Sequence, residues 1–300
     1  MKYKNIVQVV GHTPLIELPR KEGAGRVFAK IESRNPGGSV KDRAALYMIR
    51  DAQEKGLLKE GDTIVEATSG NTGIALSMIG RALGLNVVIV MPGSMSEERK
   101  QLMRAYGAEL ILTGEGGMQA AVDKANELVE EKGYFLVSQF ENPANALAHY
   151  ETTGPEIYKD LPEVTAFVAG IGTGGTVTGV GRFLKEKNPE IKVFGIEPKD
   201  SPLLTEGKAG GHKIQGIGAN FVPGVLDQEI LDKVYTIATE EAFQGARELS
   251  KNAGVLAGIS SGSNAYMAYK IAEELGEDSV VVTVLPDTGE RYLSTELFAE

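Results

Sequence analysis

The sequence predicts an α/β protein of two domains, each a mostly parallel, twisted sheet flanked by helices. Three observations carry this expectation. Short apolar runs alternate with segments of helical period through most of the chain, the pattern of parallel strands joined by crossover helices. Its 37 glycines, against 6% aromatic residues, suit a protein with many tight strand-to-helix turns. At 300 residues, the chain has ample length for one large α/β unit or two ordinary domains. Taken in order, strands are expected at 27–31, 63–67, 87–91, 110–112 and 135–138. Helices fall between them at 44–55, 72–83, 97–106 and 118–131. The first of these places Ala45, Met48, Ile49 and Ala52 on one face. After residue 140 the rhythm resumes, with strands at 165–169, 192–196, 255–259 and 280–285 and helices near 176–187, 240–252 and 263–275. The division is therefore placed there: a domain of residues 1–140 and a second of residues 141–300. The irregular stretch 198–226 is longer than most loops and reads as a functional or interface segment.

Composition removes several function classes. A formal charge of −10 disfavours a sequence-independent nucleic-acid binder. Cysteine is absent, so disulfides, thiolate metal sites and a cysteine nucleophile are excluded together. The three histidines, His12, His149 and His212, are too scattered to support a metal cluster. No apolar run approaches membrane-spanning length, and a cytoplasmic protein without membrane contact is expected.

Lys41 is the first chemical signal. It follows the turn Asn35-Pro36-Gly37-Gly38-Ser39 and stands at the start of the first predicted helix. The free N–H groups of a helix start carry partial positive charge, which favours the neutral, nucleophilic amine. Most lysines at such places are merely solvated. Three strand-to-helix turns add to it, at the positions where α/β sheets collect ligands. Thr68-Ser69-Gly70-Asn71-Thr72-Gly73 offers hydroxyls, an amide and backbone N–H groups, or else a plainly capped helix. Gly172-Thr173-Gly174-Gly175-Thr176 lets the backbone approach a phosphate closely. Gly170, Gly172 and Gly175 also satisfy G-x-G-x-x-G, with Glu197 ending the next strand, so this turn alone equally fits NAD. In Gly258-Ile259-Ser260-Ser261-Gly262, one serine either caps a helix near Ser263 or meets a ligand. Locally nothing decides between them.

Together they do. A lysine for a Schiff base, a phosphate cradle, a carboxylate-binding turn and a lone hydroxyl are the set that pyridoxal 5′-phosphate requires, whereas an NAD enzyme has no use for Lys41 or the Thr68–Gly73 turn.

Six blocks in order extend the pattern: Asn35–Arg43, Thr68–Gly73, Ser138-Gln139-Phe140-Glu141-Asn142-Pro143, Thr152-Thr153-Gly154-Pro155-Glu156, Gly172–Thr176 and Gly258–Gly262. With Gly11-His12-Thr13-Pro14-Leu15 at one end and Gly289–Thr295 at the other, the chain closely resembles the cysteine synthases (O-acetylserine sulfhydrylases). These belong to the β family, fold type II, of pyridoxal-phosphate enzymes, whose fold is tryptophan synthase β-like. The resemblance implies a homodimeric transferase that converts O-acetyl-L-serine and sulfide to L-cysteine and acetate through an α-aminoacrylate. It implies that Lys41 carries the internal aldimine and serves as acid and base at Cα. Asn71 would bond the cofactor's 3′-oxygen, Gly172, Thr173, Gly174, Gly175 and Thr176 its phosphate, and Ser260 its pyridine nitrogen. Thr68, Ser69, Thr72 and Gln139 would bind the substrate carboxylate, and Gly216 would line the mouth of the site. A possible partner implied by the family is the C-terminal tail of serine acetyltransferase.

The chain mixes two bacterial subtypes. Glu66-Ala67, residues 95–99 and residues 105–109 resemble the B type, which also takes thiosulfate; residues 213–218 and 221–223 resemble the A type. His12 stands where asparagine is common, which reads as a packing or turn variation, and Asp287 is given no role. Other fold-type II enzymes, such as a serine/threonine dehydratase or a cystathionine β-synthase, remain the alternatives.

Overall fold

The computed structural model describes residues 2–299. Its strands are β1 (Leu15–Glu17), β2 (Arg26–Ile31), β3 (Thr63–Ala67), β4 (Asn86–Pro92) and β5 (Glu109–Thr113), then β6 (Phe135–Leu136), β7 (Ala166–Gly170), β8 (Lys192–Pro198), β9 (Lys233–Ile237) and β10 (Val280–Leu285). The helices are α1 (Lys41–Glu54), α2 (Asn71–Ala82), α3 (Glu97–Ala105), α4 (Gly117–Lys132) and α5 (Ala144–Ala148). They continue as α6 (Gly154–Asp160), α7 (Gly175–Lys187), α8 (Leu203–Glu206), α9 (Thr239–Ala253) and α10 (Ile259–Leu275). A π-helical turn, His149–Thr153, joins α5 to α6.

These elements form two compact units. Unit 1 holds the residues up to Val10 and Asn35–Ala144. Its sheet has four parallel strands in the order β5-β4-β3-β6. Because successive strand residues face opposite ways, β3 and β4 feed two cores. Ile64, Val87, Ile89 and Met91 pack with α1, α2 and α3, while Val65, Val88 and Val90 pack on Ala121, Ala125 and Leu128 of α4.

Unit 2 holds Gly11–Arg34 and the chain from Asn145 onward. Its six strands run β1-β2-β10-β7-β8-β9, parallel except for the β1–β2 pair. β10, Val-Val-Val-Thr-Val-Leu, is buried along its whole length. Val280, Val282 and Val284 meet α7, and Val281 and Leu285 meet the α9–α10 side. Thr283, the polar residue in this strand, donates its hydroxyl to the Val168 carbonyl at 2.7 Å. Each such valine contributes about 1.5–3 kcal/mol by leaving water.

The single division near residue 140 places residues 11–34 with the first domain, whereas here they cluster with the second. The cause is strand pairing: β2 lies beside β10 in parallel register, Arg26 opposite Val280 through Ile31 opposite Leu285. The strand expected at 255–259 is not formed; only an isolated bridge joins Ala257 to Thr288, and α10 already begins at Ile259. β1 and β9 were not anticipated. Among the described residues no helix is long and apolar enough to cross a membrane.

Candidate active site

Each chemical signal of the sequence lies at the start of a helix. In unit 1, Lys41 is the first residue of α1, half-buried, its N–H donating to Ser39 Oγ at 3.2 Å. The preceding turn is locked by Asp42, whose buried carboxylate accepts the Gly37 N–H at 2.5 Å, and by Gly38, whose N–H donates to the Asn35 carbonyl at 2.8 Å. α1 packs against α2.

Asn71 opens α2, directly after the N-cap Gly70. Thr68 and Thr72 are buried, while Ser69 and Asn71 are half-buried. Thr68 is tied back to the sheet, its N–H donating to the Val90 carbonyl at 3.0 Å. The Thr72 hydroxyl donates to Gln139 Oε1 at 2.6 Å, so two residues of the carboxylate set, far apart in sequence, do meet. Gln139 follows β6, which stops two residues short of its expected end because Ser138 takes a left-handed φ of +61°. Behind this corner lies Glu66. Its carboxylate accepts the N–H groups of Ser138 at 2.8 Å and Gln139 at 3.3 Å. Burial pushes the Glu66 carboxyl up to about 7, against the pull of those donors.

In unit 2, the turn between β7 and α7 is made of backbone. Gly174, the N-cap of α7, has a φ of +82°, which a side chain would resist. A β-carbon built on Gly172 would lie 2.4 Å from the Gly216 carbonyl oxygen, so these two backbones touch with no room for a side chain. Gly216 in turn stands beside Ser260: its own β-carbon would be 3.4 Å from Ser260 Oγ. The 198–226 stretch therefore reaches the Gly172–Thr176 turn, anchored by buried Ile214 and Ile217 and by the Gly218 N–H, which donates to the Ile171 carbonyl at 2.9 Å.

Two residues that sequence reasoning missed brace this turn from below. Asn145 Nδ2 donates to Thr173 Oγ1 at 2.9 Å. The buried His149 has Nε2 3.3 Å from the Thr176 hydroxyl and Nδ1 2.9 Å from that of Thr153. Asn145, His149 and Thr153 recur at helical spacing, a polar stripe aimed inward; that was the available signal.

Ser260 is buried in the first turn of α10, whose N-cap is Gly258, so neither serine of this turn acts as the expected cap. Asp287 supports the turn: its carbonyl accepts the Gly258 N–H at 3.2 Å, and its carboxylate takes the Tyr292 hydroxyl at 2.6 Å. His12 sits in a left-handed turn with φ +49°, its N–H donating to Glu156 Oε1 at 3.0 Å. Glu156 also meets the fully buried Lys30 at 2.9 Å, a bridge internal to unit 2.

Glu197 decides against the dinucleotide reading. Its buried carboxylate is taken by the Leu204 N–H (2.7 Å), the Thr205 N–H (3.0 Å) and the Thr205 hydroxyl (2.6 Å), capping α8 rather than facing a ribose. Among the described residues no cluster of histidine or carboxylate groups could hold a metal ion.

Comparison with known proteins gives a consistent picture. The chain matches the family model described as pyridoxal-phosphate dependent enzyme over residues 6–287. It is 51% identical over 300 residues to a cysteine synthase of Staphylococcus aureus, covering 98% of this chain and 97% of that protein. A solved cysteine synthase of Entamoeba histolytica matches with a TM-score of 0.96 and 42% identity, over 99% of this chain and 91% of the other. A solved O-ureido-L-serine synthase matches with a TM-score of 0.95 and 46% identity, over 99% and 96% of the two chains.

Proposed function

The chain belongs to the family of pyridoxal-phosphate-dependent enzymes, and from that membership we propose that it makes L-cysteine and acetate from O-acetyl-L-serine and sulfide. The observation that carries the reading is positional. Lys41, Asn71, Gly175 and Ser260 each lie in the first turn of a different helix, where N–H groups and the helix field receive anions and hydroxyl or amide groups reach a ligand. The residues fit the cofactor. The turn Gly172–Thr176 is backbone at a helix start, packed tightly on Gly216, and Thr173 and Thr176 are braced within it.

When bound, pyridoxal 5′-phosphate supplies an electron sink for the negative charge that develops at the substrate's Cα. Lys41 would be its attachment point, and once the substrate's amine has taken that place the freed Lys41 amine would remove the Cα proton as acetate leaves Cβ. Once sulfide has added at Cβ, Lys41 returns the proton. Gly172, Thr173, Gly174, Gly175 and Thr176 would hold the phosphate, and Asn71 would bond the 3′-oxygen. Ser260 gives the ring nitrogen a neutral partner, which tempers the sink and favours loss of a β-substituent over transamination. Thr68, Ser69, Thr72 and Gln139 would take the substrate carboxylate, and Gly216 would line the mouth of the site. Sulfide is favoured over thiosulfate because no arginine lies between Pro198 and Asn220. A cytoplasmic homodimer that docks the C-terminal tail of serine acetyltransferase belongs to the same reading.

The test is spectroscopic. O-acetylserine should shift the visible band of the purified holoenzyme to longer wavelength, and sulfide should restore it. Lys41→Ala should lower turnover by about 10³-fold or more. Turnover at the wild-type level in that variant would overturn the assignment.

A further inference from the structure

Two costly features meet in one corner of unit 1. The Glu66 carboxyl is buried, 4% exposed, and its oxygens accept the backbone N–H groups of Ser138 and Gln139. One of these belongs to Ser138, a residue other than glycine held in left-handed backbone. Desolvating a carboxylate and straining a serine both oppose folding. Neither adds apolar contact, and both act on the direction of the residue that follows, Gln139.

Gln139 is an amide, and an amide can be turned end for end. Here its Oε1 accepts the Thr72 hydroxyl at 2.6 Å, while its side chain also hydrogen-bonds to Glu66. The NH₂ end of the amide is the donor toward Glu66, which leaves the carbonyl end to accept from Thr72. The backbone of Gln139 and the orientation of its amide are thus both set by one buried group.

We infer that Glu66 is a positioning residue for the substrate carboxylate, holding Gln139 in one orientation against Thr72 at the start of α2. This rests on the function proposed above, in which that turn receives the carboxylate of O-acetylserine.

Glu66→Gln is the direct test, in the holoenzyme. It keeps the size of the side chain but sets an NH₂ group against one N–H donor and lets the Gln139 amide turn. KM for O-acetylserine should rise about tenfold while kcat and the affinity of the apoprotein for pyridoxal 5′-phosphate stay near wild type. In a Gln139→Ala background the same change should add nothing further. Hydrogen exchange at the Ser138 and Gln139 backbone amides, measured in the apoprotein, should accelerate about tenfold. An unchanged KM, a loss of cofactor affinity in parallel, an effect that adds to that of Gln139→Ala, or unaltered exchange would each overturn the role. If the glutamine variant does not accumulate, Glu66→Asp, which withdraws the carboxylate by one methylene, should raise KM and amide exchange in the same direction. Wild-type protein inert toward O-acetylserine would instead sink the proposed reaction, and the exchange measurement would still judge the clamp.

Discussion

The turn that opens α2 and the turn that opens α7 both use a helix start, yet they are built from opposite materials. The first presents side chains: the hydroxyls of Thr68, Ser69 and Thr72 and the amide of Asn71, backed by Gln139 and a buried carboxyl. The second presents backbone: Gly172, Gly174 and Gly175, with Thr173 and Thr176 pinned from below by Asn145 and His149. The contrast suits what each is proposed to hold. A phosphate that stays bound can be met by rigid N–H groups with no side-chain entropy to lose. A substrate carboxylate that comes and goes is met by side-chain hydroxyls and amides, which the Glu66–Gln139 contact holds in place before it arrives.

The contrast can be broken most forcefully at Gly172. Gly172→Ala forces a β-carbon to within 2.4 Å of the Gly216 oxygen, and backbone against backbone cannot yield cheaply. Cofactor affinity, read by titrating the apoprotein, should fall by about 100-fold or more. Retained affinity would show that the turn is not a rigid cradle. The carboxylate turn, by contrast, rests on an ionisable group. The folded-state value of Glu66, about 7, lies above its ordinary 4.5, so between those values the folded chain keeps a proton that the unfolded chain has lost. Its contribution is complete below about pH 4.5 and fades as pH rises through 7, on the order of 3 kcal/mol in all. Urea denaturation of the apoprotein at pH 5 and pH 8 should show that slope in wild type and not in Glu66→Gln.

Smaller effects sharpen the comparison. Thr72→Val removes the 2.6 Å bond to Gln139 and should raise KM for O-acetylserine about tenfold with cofactor affinity untouched. Asn145→Ala should do the reverse, weakening the cofactor about fivefold with KM for substrate unchanged once the enzyme is saturated with it. If the two variants share one phenotype, the division of labour between the turns is wrong.

Much of this was legible in the sequence, for identifiable reasons. Strands such as β3, β4 and β10 are dense β-branched runs, and turns that follow the strands carry glycines and hydroxyls. Lys41, Asn71 and Gly172–Thr176 stand at helix starts, where reading strand-to-helix turns puts them. What escaped depended on partners distant in sequence. β9, Lys-Val-Tyr-Thr-Ile, is an edge strand that is only partly buried, and its pattern is too weak to stand out. The 255–259 run is apolar because Ala257 and Ile259 are buried against other elements, and its pairing goes no further than the single bridge of Ala257 to Thr288. Glu66 looks like a subtype marker until Ser138 and Gln139 are seen to converge on it. Asn145 and His149 fall between two recognised blocks and matter only through Thr173 and Thr176.

The pairing of β2 with β10 also bears on how the chain is made. The ribosome releases β1 and β2 before any strand of unit 1, then the four strands of unit 1, and only near the end β10, which joins β2 to the rest of the larger sheet. Unit 1 has every strand it needs long before synthesis finishes. The early hairpin has one edge without its neighbour throughout, a template for pairing with another chain. Nascent chains stalled before β10 should therefore show a protease-resistant unit 1 attached to a cleavable, aggregation-prone N-terminal hairpin.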